Sequence, residues 1–344
     1  MKKIIFNFIA SVSFVCIACS QDSDNTIEET IQLNEIPESA NIIFHENNII
    51  YTMDENGENR TQITFDDRYV LEHVALSYDQ TRIITNHFSD PSIVGQSSKL
   101  LLYDLVNKTL THLLPEFTMA GNGGVDWDNK GFIYFAAVAE PVFPNPVTVE
   151  EFQANAGAND IYRMKFDGSG LQNLTNTKDR GEADVSVSPD SQSICYMTTN
   201  ITDTANTFTE IWKRNVNGTD AQILFVGGED RVSSVHDPEI SPDGNYVVFS
   251  QVNTSVLPVF PDNPLANTAH DIVKASFTDS NDVVVITQPG PISIAPDWKN
   301  GKIVFLEITD KTVPPHTGLA TINTDGTGYK LIKNGTNIGK WIPN

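Results

Sequence analysis

From about residue 39 onward, short runs of alternating apolar and polar residues are separated by Asn-Gly, Asp-Gly and Pro-Asp turns. Period-two alternation bounded by such turns predicts β-strands joined as hairpins. One stretch reads Asp160-Ile-Tyr-Arg-Met-Lys-Phe-Asp-Gly168, then Leu171-Gln-Asn-Leu-Thr175, then Asp184-Val-Ser-Val-Ser-Pro-Asp190, then Ser193-Ile-Cys-Tyr-Met197. The next repeats that order. It runs Glu210-Ile-Trp-Lys-Arg-Asn-Val-Asn-Gly218, Ala221-Gln-Ile-Leu-Phe225, His236-Asp-Pro-Glu-Ile-Ser-Pro-Asp-Gly244 and Tyr246-Val-Val-Phe-Ser250.

Weaker copies extend the repeat through the chain. Equivalent runs begin at Ile42, Arg82, Phe132, Ser193, Tyr246 and Lys302, spaced by 40, 50, 61, 53 and 56 residues. Six units of this kind predict an all-β, six-bladed β-propeller, because radial repetition protects sheet edges. Ile338–Pro343 reads as an innermost strand with no partner after it, and Asn41–His45 as a second strand with none before it. The N-terminal strand is therefore expected to pair with the C-terminal segment and close the ring over residues 39–344.

The motifs Ile161-Tyr-Arg-Met164, Asp167-Gly-Ser-Gly170, Leu171-Gln-Asn-Leu-Thr175 and Ser188-Pro-Asp190 resemble the WD40-like repeat of the TolB propeller family. The resemblance is strong over residues 159–250 and weaker over 39–158 and 270–344. It implies a fold more than a function, since that repeat serves unrelated proteins. TolB carries a separate domain ahead of its propeller where a short acidic stretch stands here, so its role in the envelope motor complex is not carried over.

The amino terminus reads as an address. Lys2 and Lys3 precede an apolar run from Ile4 to Ala18, the layout of a secretory signal peptide over residues 1–18. Cys19 resembles the acylated cysteine of bacterial lipoproteins, with Cys16 standing where that motif has leucine. Ser20 resembles outer-membrane sorting, and Asp22 and Asp24 resemble the export tether of Bacteroidetes surface lipoproteins. These resemblances imply an outer-membrane lipoprotein, facing the periplasm or the cell surface, with residues 19–38 as an acidic flexible tether. Cys195 is then the one cysteine left in the folded part, expected as a buried inert thiol.

Charge narrows the partners. The chain has 22 Lys and Arg against 44 Asp and Glu, a formal net charge of −22. That balance excludes nucleic acid and a basic membrane-binding patch. The membrane is expected to be met only through the lipid anchor, and the protein to be a monomer.

The connections Ser89–Ser98, Ala137–Asn159, Thr198–Thr209, Val252–His270 and Thr309–Thr317 are long and fall on one face, the usual place for recognition. They carry Phe117, Phe143, Phe152 and Phe260, or lie beside them, and a Thr148–Glu151 capping box. Asp67-Arg68, Asp179-Arg180 and Asp230-Arg231 recur before the innermost strands. Such arginines could clamp an anionic ligand or pin neighbouring sheets together. His73 and His236 begin innermost strands beside Glu72, Asp184 and Asp237, while His87, His270 and His316 lie at or in the loops. The candidate ligand-binding set is thus Glu72, His73, Arg180, Asp184, Arg231, His236 and Asp237, with His73 and His236 as candidate ligands of a divalent metal.

Two functions compete, and a third has less to say. One is a binding or scaffold module for a glycan or protein in the cell envelope, without a cofactor. The alternative is a metal-assisted carbohydrate-active enzyme of the oligouronate lyase type, known on a related repeat, which requires His73, His236 and a loop histidine to converge. A merely structural envelope protein would show no concentrated pocket. No Gly-x-Ser-x-Gly, P-loop, dinucleotide fingerprint or EF-hand loop is present.

Overall fold

The computed structural model describes residues 27–88, 98–114, 119–138, 159–177, 179–200, 209–227, 234–253, 269–279, 282–287, 291–308 and 317–343. Every regular element among them is a strand. No helix among the described residues is long and apolar enough to cross a membrane. The leader and Cys19 lie outside the described residues, as do the Thr148–Glu151 capping box and Phe117, Phe143, Phe152 and Phe260.

The chain starts with β1 (Ile27–Thr30), β2 (Ile42–Glu46), β3 (Ile49–Met53) and β4 (Thr61–Gln62). Next come β5 (Val70–Leu76), β6 (Arg82–Phe88), β7 (Ser98–Asp104) and β8 (Thr109–Leu113). The third set is β9 (Met119–Trp127), β10 (Phe132–Val138), β11 (Asp160–Lys165) and β12 (Gln172–Asn173). The fourth is β13 (Arg180–Val187), β14 (Ser193–Asn200), β15 (Thr209–Asn215) and β16 (Gln222–Val226). The fifth is β17 (Val235–Ile240), β18 (Tyr246–Asn253), β19 (Ala269–Ser276) and β20 (Val283–Val285). The last strands are β21 (Ile292–Lys299), β22 (Lys302–Ile308), β23 (Thr317–Asn323), β24 (Lys330–Asn334) and β25 (Gly339–Trp341).

Hydrogen bonding corrects the expectation of a closed six-bladed propeller. Among the described residues the strands form five separate sheets, and none of them closes on itself. The parallel bridge His270↔Ile292 joins β19 to β21, which merges two four-strand repeat units into one eight-stranded sheet. The remaining sheets run β5–β8 with β1 added, β9–β12, β13–β16, and β25-β2-β3-β4. Within the last, β25 pairs antiparallel with β2 through Ile42↔Trp341 and Phe44↔Gly339. What joins neighbouring units is side-chain packing. Phe135 and Trp127 pack with Ile84 and Leu102, and Phe249 packs with Cys195 and Ile211, each group forming a buried cluster between adjacent units.

The acidic segment expected as a tether is docked from residue 27. β1 adds to the outer edge of β8 (Ile27↔His112 to Thr30↔Thr109), and Leu33 bridges to Thr64. The reason is local: Ile31, Leu33 and Ile36 interrupt the acidic run and pack with Ile43, Ile50 and Leu71. Arg68 and Tyr69 both reach Glu29 on β1.

The repeated Ser-x-Asp turns have a common mechanism. Ser77, Ser188 and Ser241 donate to Asp79, Asp190 and Asp243 at 2.7, 2.6 and 2.6 Å. Each serine oxygen also accepts a backbone N–H five residues on, from Arg82, Ser193 or Tyr246. The turn therefore closes without help from the rest of the fold.

Candidate functional site

The first strands of successive repeat units lie side by side: β5 on β9, β9 on β13, β13 on β17, β17 on β21, and β25 against both β21 and β5. β5, β9, β13, β17 and β21 each contain a bulge against the strand that follows. The extra residue places Asp184, Asp237 and Ala295 at φ of 54°, 52° and 51°. Asp tolerates that left-handed geometry better than most residues. β9 has Gly123 and Gly124 there, and a Cβ on Gly123 would stand 2.2 Å from Asp184 Oδ1.

The bulges also tie the strands to one another. The Asp237 N–H donates to Asp184 Oδ2 at 3.1 Å, and the Ala295 N–H donates to Asp237 Oδ2 at 3.1 Å. A second set of such contacts lies further along the strands. There the Val187 N–H donates to Asp126 Oδ2 at 2.8 Å, the Ile240 N–H to Ser186 Oγ at 3.2 Å, and the Trp341 N–H to Asp297 Oδ2. Side-chain acceptors thus satisfy backbone donors at the bulges and along the inner edges of these strands.

This arrangement separates the sequence candidates. His73, Asp184 and Asp237 meet at a constriction of about 30 Å3. Burial pushes the His73 imidazole down to about 4, and burial with the nearby Asp237 charge drives Asp184 well above the usual carboxylate range. His236 stands beside them. Its Nδ1 lies 2.7 Å from Asp237 Oδ2 and its Nε2 lies 2.9 Å from His270 Nδ1. Burial opposes charge on His236, but the Asp237 carboxylate outweighs it and raises the imidazole above its ordinary range. The charged ring donates Nδ1–H to Asp237 and Nε2–H to the neutral His270 ring. Burial and the adjacent His236 push His270 down to about 4. Burial opposes ionisation of Asp237, but His236 and the Ala295 N–H outweigh it and hold the carboxyl low.

Glu72 and Arg180 stand apart in framework roles. Asn86 donates to Glu72 at 2.6 Å and accepts the His73 N–H at 2.9 Å. Arg180 pairs with Glu210 at 2.5 Å and lies over the Trp212 ring, an arrangement within the β13–β16 sheet. Arg68 likewise binds Asp66 and Glu29. Arg231 lies outside the described residues, as do His316 and most of the long-loop face. His73 has no hydrogen bond to His236 or His270, and the described residues contain no group of three or more His, Cys, Asp or Glu placed to hold a metal. The convergence that the lyase alternative requires is not formed among them.

A second cavity, on the same axis as the constriction, was missed from the sequence. It measures about 250 Å3 and opens at the tight-turn end, among Tyr78, Pro189, Pro242 and Pro343. Glu239 and Lys340 belong to both this cavity and the constriction. Its polar wall is Asp126, Glu239, Asp297 and Lys340, and its aromatic wall is Trp127, Trp298, Trp341 and Tyr78. Burial drives Glu239 and Asp297 upward, and Lys340 only partly offsets it. Burial disfavours the charged Lys340, but Asp126, Glu239 and Asp297 outweigh it and keep the ammonium. A signal was present. The positions two and three residues beyond the bulge read Asp126-Trp127, Glu239-Ile240 and Asp297-Trp298 on β9, β17 and β21. The unbulged β25 carries the similar Lys340-Trp341, and weak repeats at β9, β21 and β25 hide the recurrence.

No family model matches the chain, and no curated protein sequence does. Solved structures do match. A TolB-type protein from Agrobacterium tumefaciens superposes with a TM-score of 0.57 at 13% identity, covering 89% of this chain and 99% of that one. A chain of the nidogen/laminin complex gives 0.58 at 10% identity over 88% and 98%. An oligogalacturonate lyase in complex with manganese gives 0.50 at 8% identity over 90% and 74%. The chain is a distant structural relative of TolB and other mostly-β propeller and solenoid proteins. At such identities the likeness concerns the fold alone.

Proposed function

We propose that the protein is a binding module of the bacterial outer envelope, held by a lipid on Cys19 and engaging a protein or glycan partner without turning it over. The observation that carries this reading is the central cavity of about 250 Å3, to which the first strands of the repeat units contribute fixed polar and aromatic groups. Asp126 and Asp297 are held by backbone N–H groups, and Glu239 by Ser186 Oγ at 2.9 Å. Preorganised groups of this kind lower the cost of binding.

The test is a panel of peptides and neutral oligosaccharides titrated against the mature chain and against Tyr78→Ala, with melting curves confirming that both are folded. A ligand retained by the native chain, lost by the variant and recovered chemically unchanged supports the reading. Turnover of the ligand, or binding indifferent to Tyr78, overturns it.

A further inference from the structure

We propose that the central cavity receives one alkylammonium or guanidinium group, either a lysine or arginine side chain of a polypeptide or a free small amine. This deepens the binding-module reading and rests on it. The cavity, at about 250 Å3, is smaller than the roughly 300–1,000 Å3 of pockets that take drug-sized ligands. It suits a single side-chain-sized group.

Its walls suit a cation. Three carboxylates, Asp126, Glu239 and Asp297, face two ammonium groups, Lys340 and Lys299. Lys299 is committed elsewhere, donating to the Ile342 carbonyl at 2.5 Å. Lys340 Nζ is ion-paired with Asp126 Oδ1 at 3.8 Å and with Glu239 Oε2 at 3.6 Å, both longer than a hydrogen bond. Three carboxyl groups outnumber two ammonium groups, so full ionisation of the site calls for one more cation, and in a partly desolvated site each charge counts for more than in water. The upward shift of Glu239 has the same origin: burial first, with Asp297 and Asp126 adding to it against Lys340.

The aromatic wall adds a second, independent preference. Tyr78, Trp127, Trp298 and Trp341 line the same space, and aromatic faces attract ammonium and guanidinium groups. They also cover the methylene stem of a lysine. Anionic ligands, uronates included, meet repulsion both here and from the chain's net charge of −22.

Calorimetric titration of the mature chain tests this with four probes: Nα-acetyl-lysine methylamide, cadaverine, Nα-acetyl-norleucine methylamide and Nα-acetyl-glutamate methylamide. The lysine amide and cadaverine are expected to bind at one site, and the norleucine and glutamate amides at least about tenfold more weakly. Glu239→Gln and, separately, Asp126→Asn are expected to weaken the lysine amide about tenfold, with melting curves confirming folding. Tighter binding of the lysine amide assigns the source to a polypeptide, and tighter binding of cadaverine assigns it to a free amine. Equal binding of norleucine amide, unchanged lysine affinity in both variants, or no binding of either amine at millimolar concentration overturns the proposal. If the amines fail while a neutral oligosaccharide binds and depends on Tyr78, the binding module stands and the cation falls. If no ligand binds at all, both fall.

Discussion

The Asp184 carboxylate accepts the backbone N–H of Asp237 at 3.1 Å, and both residues occupy the left-handed backbone region at a strand bulge. One side chain therefore solves two problems. It tolerates the bulge of its own strand and satisfies a donor freed by the bulge of the next.

That relationship distinguishes two substitutions. Asp184→Asn keeps an acceptor oxygen and a residue type that tolerates positive φ, and it removes a buried carboxyl pushed up by burial and by Asp237. Its stability is expected within about 1 kcal/mol of the native protein. Asp184→Ala orphans the Asp237 N–H and strains the backbone, at a cost of about 2–4 kcal/mol. Urea unfolding at neutral pH measures both, and equal costs would remove the acceptor role.

Buried titratable groups shape the pH profile with opposite signs. Burial pushes His45 and His73 down to about 4 from an ordinary 6.5. Both rings stay neutral in the fold, while the unfolded chain protonates them below 6.5. Their contribution is present above pH 6.5 and is lost as pH falls towards 4. Burial pushes Glu182 up to about 8 from 4.5, despite hydrogen bonds from Thr177 and Thr175. Its contribution is present below pH 4.5 and is lost as pH rises through 8. Glu182→Gln is therefore expected to stabilise the protein at pH 8, by on the order of 2 kcal/mol, and to converge on the native curve near pH 4. Denaturation midpoints across pH 4–8 read both limbs. A parallel offset at every pH would mean that Glu182 does not titrate with folding.

The strands were legible because two cues agreed: alternation gave the faces, and Ser188-Pro-Asp190 and Ser241-Pro-Asp243 gave the turns. The sheet boundaries were not legible. A single bridge at His270↔Ile292 decides whether two units count as one sheet, and a bridge between backbones leaves no mark on side-chain pattern. His73, Asp184 and Asp237, which the fold brings to one constriction, could be singled out because ionisable residues on an innermost strand are conspicuous. Their principal partners were harder to foresee. The acceptor work of Asp184 and Asp237 follows from bulges, and a bulge shows in sequence only where glycine marks it, as at Gly123-Gly124. Asp126, Glu239, Asp297 and Lys340 come together from four strands whose spacing differs, so only the fold brings them into one cavity.

The docked amino-terminal segment gives the last prediction. Its hold on the domain comes from two kinds of contact of unequal strength. Leu33 is 6% exposed and packs among Ile43, Ile50 and Leu71, whereas Arg68 in the Arg68–Glu29 pair is 54% exposed. Exposed ion pairs contribute about 0–1 kcal/mol, while truncating a buried leucine costs about 2–5 kcal/mol. Leu33→Ala is thus expected to loosen the segment far more than Glu29→Ala. Hydrogen exchange reads this directly. Faster exchange along Ile27–Thr30 and the facing residues Thr109–His112 is expected in Leu33→Ala, with little change in Glu29→Ala. The reverse order would place the hold in the ion pair. Unchanged exchange in both would mean that β1 is kept on β8 by its backbone pairing alone.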